Sequence, residues 1–474
     1  MNPLDGPTHF AFDAHERVLV IGMGKSGQAC VAVLCDRRAT VFVTDEKAQS
    51  ALTVAIEAAR VCGARFVAPY ELASILSEIS VAVVSPGVGP TSPVVRAVIA
   101  AGIPIVGEIE LAYLLSRAPM IAVTGTKGKS TTTSLIGHLL RACGRDVRVG
   151  GNIGNPLVGE VHAIGLEGWI VAELSSFQLE STRTFRPRVS VLLNLSEDHL
   201  DRYASMDEYA AAKFRIFHNQ GLSDYFVGNL DDDRVSALHW QASTQPQMEA
   251  RQLWFTLRDD PHHATMYLHK DAIWYAPITG DPRAIRIVGI DELPMPGSHS
   301  IQNIMAALLS ALAVGANPEV LRRGLASYTP PAHRLMPIDT FDEVAYIDDS
   351  KATNPAAVIA ALHAFTAPVV LIAGGRAKGT DFGALGVAIR ARAHTVVLIG
   401  EAADEIAAVC PDLPILRANS IDEAVAMAKQ AAHPGDIVML SPGCASFDMF
   451  ASAEDRGERF IAAVRALHGA HADA

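Results

Sequence analysis

One stretch decides the fold of this chain: Met120-Ile-Ala-Val-Thr-Gly-Thr-Lys-Gly-Lys-Ser-Thr131. Its apolar first part predicts a buried strand over residues 120–124, and its second part predicts a glycine-rich loop over 125–128. The pattern that follows predicts a helix that continues to Cys143. A strand, a short glycine-rich loop and a helix in this order are typical of an α/β domain that binds a ligand at the loop.

The loop carries the residue types that bind a nucleoside triphosphate. Backbone N–H groups of a glycine-rich loop at a helix start can hold phosphate oxygens. Lys129 can pair with the β- and γ-phosphates, and the hydroxyl of Ser130 can reach Mg²⁺. The loop departs from the strict Walker pattern, because Val123 stands where the first glycine is expected. The run Gly-Lys-Ser-Thr nevertheless predicts binding of a nucleoside triphosphate.

Apolar strands alternate with helical patterns on both sides of this stretch. Strands that are apolar throughout indicate parallel, doubly wound sheets covered on both faces, so the predicted fold class is α/β. A second block begins near Met120, and a third follows the linker pattern Pro330-Pro331. Short strands with turns are predicted over 241–290. Helices are predicted at 28–36 and 300–314, and apolar strands at 17–21, 40–44, 81–84, 120–124, 169–172, 189–193, 369–373, 395–399 and 437–440.

Length and composition exclude several classes of protein. The chain has 474 residues, enough for about three domains of roughly 150 residues each. Hydrophobic residues make up 50% and charged residues 19%, which excludes a disordered chain. The formal charge of −12 argues against a broad nucleic-acid-binding surface, so we expect no nucleic-acid partner.

The cysteines and the apolar runs bear on the compartment. The six cysteines form no CxxC pair and are too sparse for a disulfide framework, which favours a reducing compartment. The first residues show no basic segment followed by an apolar one, so no signal peptide is predicted. The longest apolar helical run, 304–314, is too short to span a bilayer. We therefore expect a cytoplasmic protein without membrane insertion.

A second glycine-rich motif, Gly22-Met-Gly-Lys-Ser-Gly27, follows the first predicted strand. Asp45 ends the next strand, as in the dinucleotide fingerprint, where glycines let a pyrophosphate approach a helix start. The motif predicts phosphate binding, although any tight turn between a strand and a helix can collect glycines. Taken alone, it suggests a nicotinamide-dependent oxidoreductase.

Acidic residues end the strands beside the Gly125 loop. Glu173 ends one strand, and the run Asn194-Leu-Ser-Glu-Asp-His-Leu-Asp201 ends another. A carboxylate at the carboxyl end of a parallel strand, near a phosphate loop, is well placed to hold Mg²⁺. His199 is a second candidate metal ligand in that setting. Lys213, by its spacing alone, is an ordinary solvated helix lysine.

The third block places polar loops at the ends of its predicted strands. These loops are Asp348–Pro355, Gly374–Asp381 and Leu440–Asp448. Because α/β sheets bind ligands outside the carboxyl ends of their strands, all three are candidate binding loops.

Together these motifs resemble the Mur ligases of peptidoglycan synthesis. The resemblance runs in order along nearly the whole chain, and the third-block motifs are its most specific part. It rests on GTKGKST at 125–131, ELSSFQLE at 173–180, NLSEDHLDRY at 194–203, YAAAK at 209–213, DDSKATNP at 348–355 and SPGCASFDMF at 441–450.

The resemblance implies an enzyme that uses ATP and Mg²⁺ at two sites. It is strongest to the branch that adds D-glutamate to UDP-N-acetylmuramoyl-L-alanine through an acyl phosphate, so these two molecules are the implied substrates. Two charged lysines suit the dicarboxylate D-glutamate. Three rival classes stay open: a nicotinamide oxidoreductase, a P-loop binding or switch protein, and a sister ligase for another amino acid. We expect a monomer.

The resemblance also implies three domains. Residues 1–117 would form a Rossmann-like domain for the UDP-substrate, and 118–330 a central ATP-binding domain with a parallel sheet of the P-loop ATPase type. Residues 331–474 would form a C-terminal Rossmann-like domain for the amino acid.

The same resemblance assigns the catalytic and ATP-binding residues. Ser130 and Glu173 would bind one Mg²⁺, and His199 with a carbamylated Lys213 would bind the other. A carbamate turns the lysine cation into an anion, which suits a metal. Lys129 completes the catalytic set with Glu173, His199 and Lys213. The implied ATP-binding residues are Gly125, Thr126, Lys127, Gly128, Lys129, Ser130, Thr131, Asn303, Arg334 and Asp349.

The remaining implied residues bind the other substrates. Ala453 stands where the family has an aromatic residue near the glutamate pocket, so the wall of that pocket differs here. The uridine diphosphate would lie against Lys25, Ser26, Asp45 and Gly87. The muramoyl part would face Asn152, Ser175 and Gln178. The incoming D-glutamate would be surrounded by Lys351, Thr353, Lys378, Ser446 and Phe447.

Overall fold

A computed structural model describes most of the chain. The described residues form three β-sheets with helices between and around their strands, which confirms the α/β class. They divide into two units, one within 1–293 and 302–328, the other within 294–301 and 329–474. His199 and Lys378, both predicted site residues, lie outside the described residues. These are 10–89, 91–198, 202–240, 248–277, 283–295, 297–377 and 381–472.

The first sheet is parallel throughout its described strands. Its order is β3-β2-β1-β4-β5, so β2 and β3 are added on one side of β1, and β4 and β5 on the other. The order of strand addition therefore reverses between β1 and β4. Loops that follow these two strands flank a crevice, which is where open α/β sheets bind ligands. The strands are β1 Arg17–Ile21, β2 Thr40–Thr44, β3 Arg65–Phe66, β4 Val81–Val84 and β5 Ile105–Gly107; the helices are α1 Lys25–Asp36, α2 Thr53–Val61, α3 Pro93–Ala100 and α4 Glu108–Leu115.

Helix α1 begins earlier than the sequence analysis predicted. The prediction started the helix at Gln28, whereas it begins at Lys25 with Gly24 as its N-cap. Gly27 therefore lies in the first helical turn rather than in the loop. A Cβ atom at this position would lie 1.8 Å from the carbonyl oxygen of Gly22, so only glycine lets the helix start this close to β1.

The second sheet belongs to the same unit. Its order is β14-β13-β12-β11-β10-β9-β6-β8-β7, with antiparallel pairing only at β12–β13 and β13–β14 among the described strands. The strands are β6 Met120–Thr124, β7 Val147–Gly151, β8 Trp169–Glu173, β9 Val189–Leu192, β10 Tyr225–Asn229, β11 Arg251–Thr256, β12 Met266–His269, β13 Ala272–Tyr275 and β14 Ile285–Gly289. The helices are α5 Lys129–Ala142, α6 Leu157–Glu160, α7 Ser176–Glu180, α8 Met206–Phe214, α9 Asp233–Trp240, α10 Ser298–Ala313 and α11 Pro318–Ala326.

The third sheet lies in the second unit. Its order is β15-β16-β20-β17-β18-β19, and within the described range only β15 runs antiparallel to its neighbour. The strands are β15 Met336–Phe341, β16 Val344–Asp348, β17 Val369–Gly374, β18 Ala393–Ile399, β19 Ile415–Arg417 and β20 Ile437–Gly443. The helices are α12 Pro355–His363, α13 Gly383–Arg392, α14 Ala403–Ala408, α15 Ile421–Ala431 and α16 Ala453–Ala472.

Each sheet is buried between its helices. The central strands carry apolar side chains on both faces, as in β17, where every residue is buried. Burying one such aliphatic side chain stabilises the fold by about 1.5–3 kcal/mol. The apolar strands therefore fix the sheets and leave the loops at their carboxyl ends free to carry polar groups. Among the described helices, none is both long and apolar enough to cross a membrane.

Candidate active site

The glycine-rich loop between β6 and α5 forms the centre of the site. Gly125 has a φ angle of +147° and Gly128 one of +80°, which favours glycine at both positions. A Cβ atom on Gly128 would lie 2.2 Å from Oδ1 of Asn303. Asn303 is itself buried in α10. The structure thus places this predicted ATP-binding residue directly beside the loop.

Asn194 holds the loop in shape. Its Oδ1 atom accepts hydrogen bonds from the backbone N–H groups of Thr126 (3.1 Å) and Lys127 (2.8 Å). Its Nδ2 atom donates to the carbonyl oxygen of Lys127 at 3.2 Å. The sequence analysis did not assign this role, although Asn194 follows directly after a predicted strand. Its position at that strand end was the only signal available.

The Lys129 ammonium lies back over the loop. Its Nζ atom donates to the carbonyl oxygens of Gly125 at 3.0 Å and Thr126 at 2.8 Å. These contacts keep the cation at the mouth of the loop, where a bound phosphate would meet it. Ser130 follows in the first turn of α5, so its hydroxyl stands at the helix start as predicted.

Glu173 ends β8 next to this loop and is 2% exposed. Its Oε1 atom accepts a hydrogen bond from Nδ2 of Asn152 at 2.8 Å. Its Oε2 atom is buried and has no hydrogen-bond partner among the described residues. A buried carboxylate oxygen without a partner is costly unless an ion or another group meets it. Glu173 therefore fits the ligand role for Mg²⁺ that the sequence predicted.

Lys213 is not the solvated lysine that its spacing alone suggested. Its side chain, on α8, is 2% exposed, and its Nζ atom donates to the carbonyl oxygen of Gly125 at 2.9 Å. The same atom lies 4.6 Å from the ring centre of Tyr209. Burial, and secondarily the charge of Lys129, lowers the pKa of Lys213 to about 6. Lys213 therefore reaches the loop as an amine that is easily deprotonated.

Ser175 and Gln178 form the capping box of α7. Oγ of Ser175 accepts from the backbone N–H of Gln178 at 3.3 Å, while Oε1 of Gln178 accepts from the backbone N–H of Ser175 at 3.0 Å. These bonds account for the local sequence by helix capping alone. The predicted contact of both residues with the muramoyl substrate stays a prediction.

The first sheet gathers the predicted uridine-diphosphate residues at the ends of neighbouring strands. Oδ2 of Asp45 accepts from the backbone N–H of Met23 at 2.7 Å, which ties the end of β2 to the glycine loop. Lys25 and Ser26 form the first turn of α1, and the Lys25 side chain is exposed. A Cβ atom on Gly87 would meet nothing within 4 Å, so the space in front of it is open. The structure thus places these residues at the ends of neighbouring strands, and their contact with the uridine diphosphate stays a prediction.

In the second unit, Asp349 and its surroundings lie at the end of β16. Its carboxylate accepts from Oγ of Ser441 at 2.8 Å and from the backbone N–H of Leu335 at 3.2 Å. Burial raises the pKa of Asp349 to about 7, and the charge of Arg334 partly opposes this rise. Arg334 and Asp349 are therefore neighbours. Their joint role with Asn303 in ATP binding stays a prediction.

Four of the five predicted D-glutamate residues lie on the loops after β16 and β20, and the fifth, Lys378, lies outside the described residues. Lys351 is paired with Glu454, and this ion pair lowers the pKa of the Glu454 carboxyl to about 2. Ser446 is buried, whereas Phe447 is 64% exposed and Thr353 is exposed as well. The positive charge of Lys351, which we expected to bind the substrate, is thus partly neutralised by Glu454 of α16.

Arg456 joins these two loops and was not found from the sequence. The side chain is fully buried. Its Nε and Nη2 atoms donate to Oγ and the carbonyl oxygen of Ser350, both at 2.9 Å, and Nη1 donates to the carbonyl oxygen of Cys444 at 3.2 Å. The Ser350 hydroxyl in turn donates to the carbonyl oxygen of Ala453 at 2.8 Å. One guanidinium therefore fixes the backbone of both loops and of the start of α16.

Three family models match successive parts of the chain. They are the MurD-like N-terminal domain of Mur ligases over residues 16–107, the Mur ligase middle domain over 123–311, and the glutamate ligase domain of Mur ligases over 333–444. Two solved structures share the fold over most of their length. They are MurC of Thermotoga maritima (TM-score 0.58, 18% identity, 95% of this chain and 100% of that one) and MurF of Thermotoga maritima with ADP (0.59, 16%, 96% and 99%).

The chain therefore belongs to the Mur ligase family, whose members use ATP and Mg²⁺, and the resemblance predicted from the motifs is confirmed. Within the family it is similar to proteins named UDP-N-acetylmuramoylalanine–D-glutamate ligase. The one from Pelotomaculum thermopropionicum is 40% identical over 461 residues, 95% of this chain and 98% of that protein. The one from Desulfosudis oleivorans is 41% identical over 460 residues, 97% of this chain and 98% of that protein.

Proposed function

We propose that this chain is an ATP-dependent ligase that joins D-glutamate to UDP-N-acetylmuramoyl-L-alanine in peptidoglycan precursor synthesis. The observation that carries the proposal is the glycine-rich loop over 125–131 beside a buried oxygen of Glu173 that has no partner among the described residues. The names of relatives at about 40% identity support the choice of substrates. The reaction requires that the alanyl carboxylate attack the γ-phosphate of ATP, and that the resulting acyl phosphate react with the amine of D-glutamate.

The residues around the loop can lower the barrier to the first step. Two anions, a carboxylate and a phosphate, must approach each other, and their repulsion opposes the attack. Lys129 and the backbone N–H groups of the loop present positive charge where the transferred phosphoryl group would lie. Asn194 accepts from the N–H groups of Thr126 and Lys127 and so holds the loop backbone in one arrangement before the substrate arrives, which reduces the reorganisation needed during the reaction.

Ser130 and Glu173 would hold one Mg²⁺, and His199 with Lys213 would hold a second. Bound there, the ions would neutralise charge on the phosphates and on the attacking carboxylate. Asn152 orients Glu173 through its hydrogen bond to Oε1, and the Oε2 atom, which has no partner among the described residues, would be the metal ligand. His199 lies outside the described residues, so its part rests on the family motif alone.

Lys213 would act as a carbamate. Its amine is buried, lies 2.9 Å from the Gly125 carbonyl oxygen and has Lys129 as a cationic neighbour. A neutral amine is the form that adds CO₂, and the product is an anion that a buried site near a metal can use. A free ammonium in the same position would repel the metal.

Two further groups of residues would bind the substrates. Lys25, Ser26, Asp45 and Gly87 would hold the uridine diphosphate, and Asn152, Ser175 and Gln178 would face the muramoyl part. Lys351, Thr353, Lys378, Ser446 and Phe447 would receive D-glutamate. We also propose three domains, 1–117, 118–330 and 331–474, and a monomeric, cytoplasmic enzyme.

The test is phosphate release from ATP with UDP-N-acetylmuramoyl-L-alanine and each amino acid in turn. We expect release that requires D-glutamate. Equal release with L-lysine, meso-diaminopimelate or L-alanine would reassign the chain to a sister activity. Hydrolysis that ignores amino acids would indicate a switch protein, and tight NADH binding would indicate an oxidoreductase.

A further inference from the structure

Two histidines and an aspartate meet at the amino edge of the third sheet. His394 is the second residue of β18, and Asp436 directly precedes β20. These strands flank β17. His433 lies in the turn before β20, where its backbone N–H donates to Oδ2 of Asp436 at 2.7 Å. The loops of the candidate active site follow the opposite, carboxyl ends of these strands, so this cluster is a separate feature.

The side chains converge on one carboxylate oxygen. Nε2 of His394 lies 2.9 Å from Oδ2 of Asp436, and Nδ1 of His433 lies 3.5 Å from the same oxygen. One nitrogen or oxygen atom from each residue lies within 4.8 Å of the other two. Neighbouring ligand atoms around a tetrahedral ion are roughly 3.4 Å apart, given bonds of about 2.0–2.1 Å. Small side-chain rotations would therefore bring all three atoms to ligand distance.

We propose that His394, His433 and Asp436 form a binding site for Zn²⁺. Two imidazole nitrogens and one carboxylate oxygen are ligands that Zn²⁺ prefers, whereas Mg²⁺ and Ca²⁺ prefer oxygen atoms alone. The side chain of Asp436 is 6% exposed and that of His433 is 78% exposed. The site thus has one buried ligand, Asp436, and one side open to solvent, where water can complete the coordination of the ion.

The Thr395 hydroxyl provides a hydrogen-bond partner for the second ring nitrogen of His394. Its Oγ1 atom lies 3.0 Å from Nδ1 of His394. A hydroxyl can donate or accept, so it can pair with either tautomer of the ring. When Nε2 donates to Asp436, the hydroxyl donates to Nδ1; when Nε2 binds an ion, Nδ1 carries the proton and donates to the hydroxyl. Metal-binding histidines usually donate their second ring N–H to a carboxylate, a backbone carbonyl or water, and the Thr395 hydroxyl can accept it here.

A bound ion would link the start of β18 to the turn before β20. Binding to the folded state alone raises stability in proportion to the logarithm of ligand concentration over Kd. We therefore expect Zn²⁺ to raise the melting temperature of the full-length chain. The proposal is independent of the ligase activity, because none of its residues belongs to the candidate active site.

The test counts bound Zn²⁺ by isothermal titration calorimetry on the untagged full-length chain after chelator treatment, and compares wild type with His433→Ala. We expect the variant to lose one equivalent of Zn²⁺ and the associated rise in melting temperature. His433 is largely exposed, so its replacement should leave the metal-free fold intact. Zn²⁺ that binds elsewhere, including at the ATP site, binds both proteins equally and cancels in the comparison.

Two further variants complete the test. His394→Gln should also lose the equivalent of Zn²⁺. His468→Ala is the matched control, because His468 pairs with Asp339 in the same unit, and no described third ligand joins them. It should bind Zn²⁺ as wild type does. Equal Zn²⁺ stoichiometry and equal stabilisation in wild type, His433→Ala and His394→Gln would overturn the proposal.

Discussion

The Nζ atom of Lys213 lies 2.9 Å from the carbonyl oxygen of Gly125, the first residue of the phosphate loop. The same carbonyl oxygen accepts a hydrogen bond from Lys129. Two lysines thus share one acceptor at a buried position, where two positive charges repel each other strongly. This arrangement favours loss of the Lys213 proton, and the lysine can then serve the reaction as something other than a cation.

We expect Lys213→Ala to be nearly inactive and to regain part of its activity with added acetate. Without the carbamate, a metal loses an anionic ligand, and a small carboxylate can occupy the vacated space. Bicarbonate should not restore activity, because the amine that takes up CO₂ is absent. The assay is phosphate release with all three substrates.

The control for that experiment is the wild-type enzyme with the same acids. Its rate of phosphate release should not rise. A fully active Lys213→Ala enzyme would falsify the metal role. If the inactive variant responded to no small acid, the carbamate would be the part of the proposal that fails.

Lys129→Ala should lower turnover by roughly 10³-fold with the fold preserved, because charge on the transferred phosphoryl group loses its nearest cation. The rate of phosphate release at saturating substrates measures this, and circular dichroism checks the fold. Activity near that of wild type would remove Lys129 from the chemistry.

Asn194→Ala should raise KM for ATP by roughly 10- to 100-fold. The variant leaves the N–H group and the carbonyl oxygen of Lys127 without their side-chain partner, which costs about 1–3 kcal/mol. The N–H of Thr126 keeps its second acceptor, the main-chain carbonyl oxygen of residue 194 at 3.0 Å. The matched control is Asn229→Ala. Asn229 is likewise an asparagine at a strand end, although it is buried and Asn194 only half-buried, and it donates to the carbonyl oxygen of Leu193. It should lose stability without a comparable change in KM, and equal KM effects in both variants would contradict the loop-holding role.

The sequence predicted the continuous apolar strands well, but it missed strands such as β7, β10 and β16, and it predicted long-range polar contacts poorly. Continuous apolar runs, such as the one that became β17, are visible in one window of sequence and need no knowledge of the fold. The contact between Asn194 and Thr126 joins residues 68 positions apart, and that between Arg456 and Ser350 joins residues 106 apart. Such contacts exist only once the sheets have formed, so local patterns carry no sign of them. The burial of Lys213 was missed for the same reason, and the family resemblance implied a metal role for this lysine without predicting its burial.

Glu108→Gln should remove a pH dependence of stability. Burial raises the pKa of Glu108 from 4.5 to about 7, and its Oε2 atom has no partner among the described residues. A folded-state pKa above the unfolded value means that stability is complete below pH 4.5 and falls as pH rises through 7. The variant should exceed wild type by about 1 kcal/mol or less at pH 5 and by about 3 kcal/mol at pH 8. Urea unfolding at both pH values measures the difference.

Glu110→Gln serves as the comparison on the same helix. The Glu110 carboxylate is also buried, but it accepts hydrogen bonds from the backbone N–H groups of Arg183, Thr184 and Phe185. An amide replaces one of its acceptor oxygens by a donor, so this variant should be less stable than wild type at both pH values. A Glu108→Gln variant whose gain in stability is the same at pH 5 and pH 8 would contradict the titration argument.

Arg456→Lys should raise KM for D-glutamate by roughly tenfold and leave KM for the UDP-substrate unchanged. Lysine keeps the charge but cannot bond to the Ser350 and Cys444 backbones in the same forked way. Arg456→Met should in addition destabilise the chain by about 3 kcal/mol, since several buried oxygens lose their donor. Steady-state kinetics with each substrate varied, together with urea unfolding, tests both statements. An unchanged KM for D-glutamate in Arg456→Lys would show that the two loops keep their conformation without the hydrogen bonds of the Arg456 guanidinium.

The hydrogen bonds of Arg456 to Ser350 and Cys444 also limit how amino-acid selectivity can be redesigned in this chain. In a chimaera that takes only the 348–355 loop from a sister enzyme, Arg456 would keep a position suited to the hydrogen bonds of the original loop. The same holds for a chimaera that takes only the 441–448 loop. Neither loop is an independent module, because the Arg456 side chain donates to a main-chain carbonyl oxygen in each of them. Exchange of specificity would therefore require both loops and the start of α16 to be transplanted as one block.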